Sequence, residues 1–289
     1  MTDAVDEILT LLDIEQLEVN LFRGQGKGGE TAQRIFGGHV IAQSLVAAYR
    51  TVEDRLCHSL HAYFIRPGDP SIPIIFEVDR ARDGGSFTTR RVIAVQRGEQ
   101  IFNLAASFHR SEEGWSHQHP MPDAPDPETL PSRDERRRAV AHQVPEANRD
   151  HFLRPRPIEV REVEPLDLMN PEPASDVNQI WFRLERPIES DEPWLHHCLL
   201  AYASDMALLG SGNRPHGLSW MSGDVLGASL DHAMWFHAPI RFDSWHLYSM
   251  DSPFGGGARS FNRGSIYTED GRLVASTAQE GLMRPNRRR

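Results

Sequence analysis

One short apolar phrase occurs twice in this chain, once in each half, and this repeat constrains the fold more than any other feature. Residues 61–67 read HAYFIRP and residues 232–239 read HAMWFHAP. His61 and His232 stand 171 positions apart (232 − 61), and Pro67 and Pro239 stand 172 apart (239 − 67). The echo continues downstream. After the first copy come IPIIFEV, the break RDGGSF and TRRVIAVQRGEQIFNLAASF; after the second come WHLYSM, the break PFGGGARSF and NRGSIYTEDGRLVASTAQEGLM. Each series reads as a strand, a glycine-containing turn and a hairpin bent at RGEQ or EDGR, which indicates an antiparallel meander. Two copies are too few for a solenoid, so the chain reads as two similar units standing where a homodimer of one unit would otherwise stand.

Upstream of each copy lies a helix that is apolar almost all round: GGHVIAQSLVAAYR (37–50) and PWLHHCLLAYASDMALL (193–209). Pro193 suits a first helical turn and Gly210 a stop. A helix with no polar stripe is buried on all sides, so each half is expected to be a long buried helix followed by a meander that wraps it. Residues 117–151, between the halves, are rich in proline and charge, with a short helix expected after Ser132. This stretch reads as a linker. The expected units are residues 1–114 and 154–289, joined by 115–153.

The bulk numbers exclude several classes. At 289 residues, 39% hydrophobic and 25% charged, the chain has the composition of an ordinary soluble globular protein. A net charge of −10 argues against nonspecific binding to nucleic acid or anionic membrane. No apolar run approaches the roughly 20 residues of a membrane span. The start, MTDAVDEILTLLD, lacks the basic region of a secretory signal, so a cytoplasmic location is expected. Cys57 and Cys198 sit in apolar runs without a CxxC pair and are read as reduced core thiols. The histidines form no HExxH motif and no Cys/His cluster, so no metal is expected. GQGKGG (24–29) matches a dinucleotide-loop pattern in letters only, since no helix clearly starts there, and it reads as a loop. The tail RPNRRR is either a solvated charged end or a phosphate contact.

LFRGQ (21–25), FGGHVIAQSL (36–45), HSLHAYFIRPGD (58–69), YASDMALL (202–209), SLDHAMWFH (229–237) and GRLVASTAQEGLM (271–283) closely resemble the acyl-CoA thioesterase II family, in the same order. The resemblance implies an α+β double hotdog fold: two antiparallel sheets, each wrapping a long central helix, arising from an internal duplication. It also implies hydrolysis of acyl-CoA thioesters to free CoA and a carboxylic acid, no cofactor, and assembly as a homo-oligomer (dimer or tetramer). The family's catalytic set is an Asp on the second central helix, a Thr at the start of the next strand and a Gln on a late strand. By position these become Asp205, Ser229 and Gln279, with Ser229 a departure that keeps the hydroxyl and loses a methyl.

Asp205 also stands out on its own terms. Its neighbours at i±3 and i±4 are Tyr202, Ala201, Leu208 and Leu209, so no cation pairs with it along a helix. An ionised carboxylate there is costly unless it is hydrogen-bonded or lines a cavity. The alternative to a catalytic role is a carboxyl satisfied by a tyrosine hydroxyl or backbone amides. For Ser229 the alternative is a structural strand serine, and for Gln279 an amide capping a turn. His232 as a base for a nucleophilic Ser229 is disfavoured: in an extended strand over 229–236 the two side chains face opposite sides, and the chain has no GxSxG elbow. The expected reaction is direct hydrolysis, with Asp205 as general base and Ser229 and Gln279 positioning water. Backbone N–H groups near a helix start or glycine loop are expected to hold the oxyanion. Overlaying the repeat places Gln43, His58 and Ser107 at the cognate first-half positions. His58 is therefore a candidate substrate-binding residue, and one reactive centre per chain is expected. Two competing functions share the substrate class: a hotdog hydratase or dehydratase, and a non-catalytic acyl-CoA binding protein.

Overall fold

A computed structural model describes residues 3–26, 34–219 and 223–286. Helix α1 (Ala4–Leu12) is capped by Asp3, whose carboxylate accepts from Val5 N at 2.7 Å, and it buries Val5, Ile8, Leu11 and Leu12 along one face. It leads into β1 (Glu15–Glu18), β2 (Leu21–Gly24) and the first central helix α2 (Gly37–Tyr49). Every residue of α2 from Gly38 to Ala48 is buried, as its unstriped sequence requires. The meander then runs β3 (Leu56–Phe64), β4 (Ile74–Asp83), β5 (Phe87–Gln96) and β6 (Glu99–His109). The β5–β6 bend falls on Arg97 and Gly98, both at positive φ, inside the RGEQ signal.

Past the connecting segment, with α3 (Arg133–Val140) and α4 (Glu146–Leu153), the second half repeats the order. It has β7 (Ile158–Glu162), β8 (Asn178–Leu184), the second central helix α5 (Pro193–Ser204) and the one-turn α6 (Gly210–Asn213). Then come β9 (Val225–Ser229), β10 (Asp231–Phe236), β11 (His246–Gly256), β12 (Arg259–Thr268) and β13 (Leu273–Pro285). Thirteen strands among the described residues form one sheet in the order β1-β2-β4-β5-β6-β3-β10-β13-β12-β11-β8-β7, with β9 beside β13. That order reads the same from either end when each first-half strand is exchanged for its second-half counterpart. The seam is the antiparallel pair β3–β10, with Ala233 opposite His61. The repeated phrase therefore meets itself at the centre of the molecule. Helices α2 and α5 pack together beneath the seam within one hydrophobic core.

Three expectations need correction. The second central helix ends at Ser204, five residues short of the expected Leu209, and Gly210 opens α6 instead of stopping α5. Locally, Ser204 Oγ donates back to Ala201 O, and Met206 N bonds Ala203 O in a tightened last turn. Asp205 thus sits at the helix's C-terminal cap rather than on its side. Second, the glycine-rich stretch 253–261 is mostly strand; the turn itself is Gly257–Ala258, both at positive φ. Third, the strand expected over 229–236 is interrupted at Leu230 between β9 and β10.

The connecting segment packs instead of hanging free. Ser132 and Glu135 form a reciprocal capping box at the start of α3, at the place where a helix was expected. Met121, Ala124 and Leu130 cover the outer face of the second-half sheet at Trp181, Trp245, Leu247 and Tyr267, and Trp181 Nε1 donates to Pro125 O at 2.9 Å. Cys57 and Cys198 are buried free thiols. Among the described residues, no helix is long and apolar enough to cross a membrane. Of the two loop and tail motifs, residues 27–29 and 287–289 lie outside the described residues.

Candidate active site

Asp205, Ser229 and Gln279 are separated by up to 74 positions in sequence and converge at one point. Asp205 Oδ1 accepts from Gln279 Nε2 at 2.6 Å and from Ser229 Oγ at 3.1 Å. Each arrives by a different route. The early end of α5 turns the Asp205 carboxyl toward the sheet, β13 presents Gln279 on its core face, and Ser229 is the last residue of β9, paired with Gly281 of β13. A fourth partner was not anticipated. The N-terminus of α2, in the other half, lies against the carboxylate, and Gly38 N donates to it. Gly37 is required sterically, because a methyl group there would collide with Asp205 Oδ2; at Gly38 it would collide with Tyr202 O. The signal was present in FGGH, a glycine pair opening a buried helix.

These contacts set the chemistry. Asp205 keeps some solvent contact but is densely surrounded by protein, and this burial pushes its pKa from 3.8 up to about 6. The hydrogen bonds from Gln279, Ser229 and Gly38 N favour the carboxylate and oppose that rise. A carboxylate with a pKa near 6 is ionised at neutral pH and is a stronger base than an exposed aspartate. Gln279 is buried, and its Oε1 has no partner among the described groups, so it offers an acceptor beside the carboxylate.

His232 does not face away from Ser229 as the extended-strand argument required. The interruption at Leu230 resets the alternation, so both side chains reach the end of α5, Ser229 at Asp205 and His232 Nε2 at Ser204 Oγ (3.0 Å). His232 still makes no bond to Ser229. It is fully buried, which lowers its pKa to about 4 and keeps it neutral.

The first-half overlay is also corrected. His58 Nε2 does meet Ser107 Oγ, at 2.8 Å. Gln43, however, lies mid-helix and donates to Leu11 O and Gln25 O. The sheet registers give the true counterparts. Both halves carry a bulge at the end of the hairpin: Ala94↔Phe102 precedes it in β5–β6, and Ile266↔Ala275 precedes it in β12–β13. Matching the two bulges offsets β13 from β6 by 173 (275 − 102), which places Ala106 at Gln279. Cys57 pairs with Phe108 as Ser229 pairs with Gly281, so Cys57 matches Ser229 and the bulged His58 matches Leu230. Aligning the starts of the central helices, Gly37 with Pro193 (offset 156), puts Tyr49 at Asp205 and Trp194 at Gly38. The contacts agree: Tyr49 packs against Trp194 at the start of α5, as Asp205 meets Gly38 at the start of α2. His58 lines a cavity of about 690 Å³ at this first-half position, which Asp205, Ser229 and Gln279 do not line. No group of His, Cys, Asp and Glu suited to a metal occurs among the described residues.

Comparison with known proteins places this chain in a family. Residues 28–109 match the acyl-CoA thioesterase N-terminal domain and residues 121–283 the acyl-CoA thioesterase C-terminal domain. The chain is 39% identical to human acyl-coenzyme A thioesterase 8, over 96% of this chain and 88% of that protein. It is 46% identical to a solved acyl-CoA thioesterase II from Mycobacterium marinum, which covers 97% of this chain and 99% of its own, with a TM-score of 0.79. A solved hot dog fold protein from Alicyclobacillus acidocaldarius, 21% identical, covers 99% of this chain and all of its own at a TM-score of 0.76, and shows the fold alone. The chain has a hotdog fold and belongs to the acyl-CoA thioesterase family of thioester hydrolases.

Proposed function

We propose that this protein hydrolyses acyl-CoA thioesters by direct attack of a water that Asp205 activates. The carboxylate takes a proton from the water as its oxygen adds to the thioester carbonyl carbon. Ser229 Oγ and the Gln279 amide hold that water and the carboxylate in line. The positive end of α2, with the Gly37 amide, stabilises the negative charge that develops on the carbonyl oxygen. Collapse of the tetrahedral adduct breaks the C–S bond, the thiolate takes up the proton, and a carboxylic acid and free CoA leave. The single observation that carries this reading is the Asp205 carboxylate, raised to about 6 and held by Gln279, Ser229 and a helix N-terminus at once.

The wider reading is of a double hotdog produced by internal duplication, with units 1–114 and 154–289 and the segment 115–153 between them. It is supported by the strand order, which is the same from both ends, and by the matching bulges. It includes self-association through the first-half sheet. There Tyr63, Ile65 and Ile93 are exposed, whereas the connecting segment covers the second-half face. Thiol release from acyl-CoA by the wild type and by Asp205→Asn tests the function. The reading requires release by the first and near-silence from a folded second. A change in enoyl absorbance without thiol release would identify a hydratase instead.

A further inference from the structure

The cavity of about 690 Å³ lies between the two halves, at the end of α2 and the start of α5, away from Asp205, and its size is in the range of small-molecule sites. Val46, Val52, Tyr49, Trp194 and Phe236 give it an apolar floor. The polar groups on that floor are already engaged. Tyr49 Oη meets His197 Nδ1 and accepts from Cys57 N, both at 2.9 Å, and His197 stacks flat on Phe236 with ring centroids 4.3 Å apart. Three arginines line the cavity, Arg50, Arg55 and Arg110, together with Asp54 and Glu192. Arg50 is paired with Asp13. Among the described residues, Arg55 donates to the main-chain carbonyls of Glu53, Gly84 and Gly85, and its Nε is buried without a partner. Arg110 likewise makes no ion pair among the described residues. Two cations without acidic side-chain partners beside an apolar floor complement one kind of ligand: a hydrocarbon chain ending in an anion.

We propose that this cavity is a second, non-hydrolytic binding site for an acyl chain with an anionic head. The proposal rests on the acyl-CoA reading of the Asp205 pocket, whose chemistry it shares. Binding without turnover follows from the replaced side chains. At the positions that correspond to Asp205, Ser229 and Gln279 stand Tyr49 and Cys57, which line the cavity, and Ala106 behind it. Burial holds the tyrosine hydroxyl and the cysteine thiol protonated. Neither is a base at neutral pH, and alanine cannot hold a water.

The head could be that of acyl-CoA or of the released carboxylate, so the test has two arms. A non-hydrolysable thioether analogue of decanoyl-CoA, and separately decanoate, are titrated calorimetrically into the full-length wild type, Ala238→Trp, which fills the cavity, and Arg55→Ala, which removes one cation. The expected result is two equivalents of analogue per chain. Ala238→Trp should lose one of them, and Arg55→Ala should weaken one roughly tenfold while leaving the other unchanged. Should only decanoate reach the site sensitive to Ala238→Trp, the ligand is the product acid. One equivalent of the analogue and no decanoate binding sensitive to either variant, in an enzyme that still releases thiol, overturns this inference and leaves the proposed reaction standing. No binding of the analogue at all would sink both.

Discussion

The two ends of the α2–α5 pair offer a comparison within one molecule. At one end Asp205 caps α5 and faces Gly38 at the start of α2; at the other, Tyr49 closes α2 and faces Trp194 at the start of α5. Backbone, bulge and helix start are shared, yet the side chains differ at every reactive position. The glycines matter as much as the carboxylate. At α2 they let a carboxyl group approach the helix start, and at α5 Pro193 and Trp194 fill the same space with apolar bulk. The frame thus repeats at both ends of the helix pair, and the side chains place a carboxylate against a helix start at one end and aromatic rings at the other.

Removing the carboxylate should break this asymmetry most severely. Asp205→Asn is expected to lower kcat/KM by about a thousandfold or more, since it deletes the general base while keeping the shape. Ser107→Ala, at a position that the uncorrected overlay matched to Gln279, should leave the rate within about twofold, because mutations remote from the chemistry rarely cost more. Appreciable loss in Ser107→Ala would restore a reactive role to the first half. Gly37→Ala should cost about 10- to 100-fold in kcat, because its methyl group would displace Asp205 Oδ2 from the helix start. A fully active, stably folded Gly37→Ala would remove the helix start from the mechanism.

How much of this site the sequence revealed depends on the range of the contacts. The repeat, the buried helices and the isolated carboxylate in YASDMALL are local patterns, and they single out three side chains that the fold brings into contact, Asp205, Ser229 and Gln279. The counterpart residues in the other half were misplaced because strand alternation has a period of two, so a one-residue slip puts every side chain on the wrong face. The slip arises because matching His61 to His232 sets an offset of 171, whereas the strand registers set 172 (229 − 57). The helix end at Ser204 and the Gly38–Asp205 contact depend on tertiary packing across 167 positions (205 − 38), which no local propensity encodes.

Smaller effects sharpen the comparison. Ser229→Ala should reduce kcat/KM by about 10- to 100-fold through lost positioning, whereas Ser229→Thr should stay within a few-fold of wild type because the hydroxyl is retained. Equal loss in both would show that the packing around β9, not the hydroxyl, is what matters.

The mildest prediction concerns pH. The acid limb of kcat/KM should fall near pH 6 instead of pH 4, because Asp205 must be ionised to act. Its folded pKa lies above the unfolded value, so its protonation stabilises the fold; that contribution is complete below about pH 3.8 and lost as pH rises through about 6. Asp205→Asn should therefore be more stable than wild type at pH 8 by on the order of 1–3 kcal/mol, with the gap closing below pH 6 in chemical denaturation. A gap that does not vary with pH would mean that burial does not raise this carboxyl.

The central claim, that Asp205 activates water and does not itself attack the thioester, is tested most directly by a single turnover in heavy-oxygen water with enzyme in excess over acyl-CoA. The account predicts heavy oxygen in the released carboxylic acid and none in the peptide containing Asp205, by mass spectrometry of both. Heavy oxygen in the Asp205 carboxyl would contradict it, because that label requires a mixed anhydride formed and then hydrolysed on the enzyme.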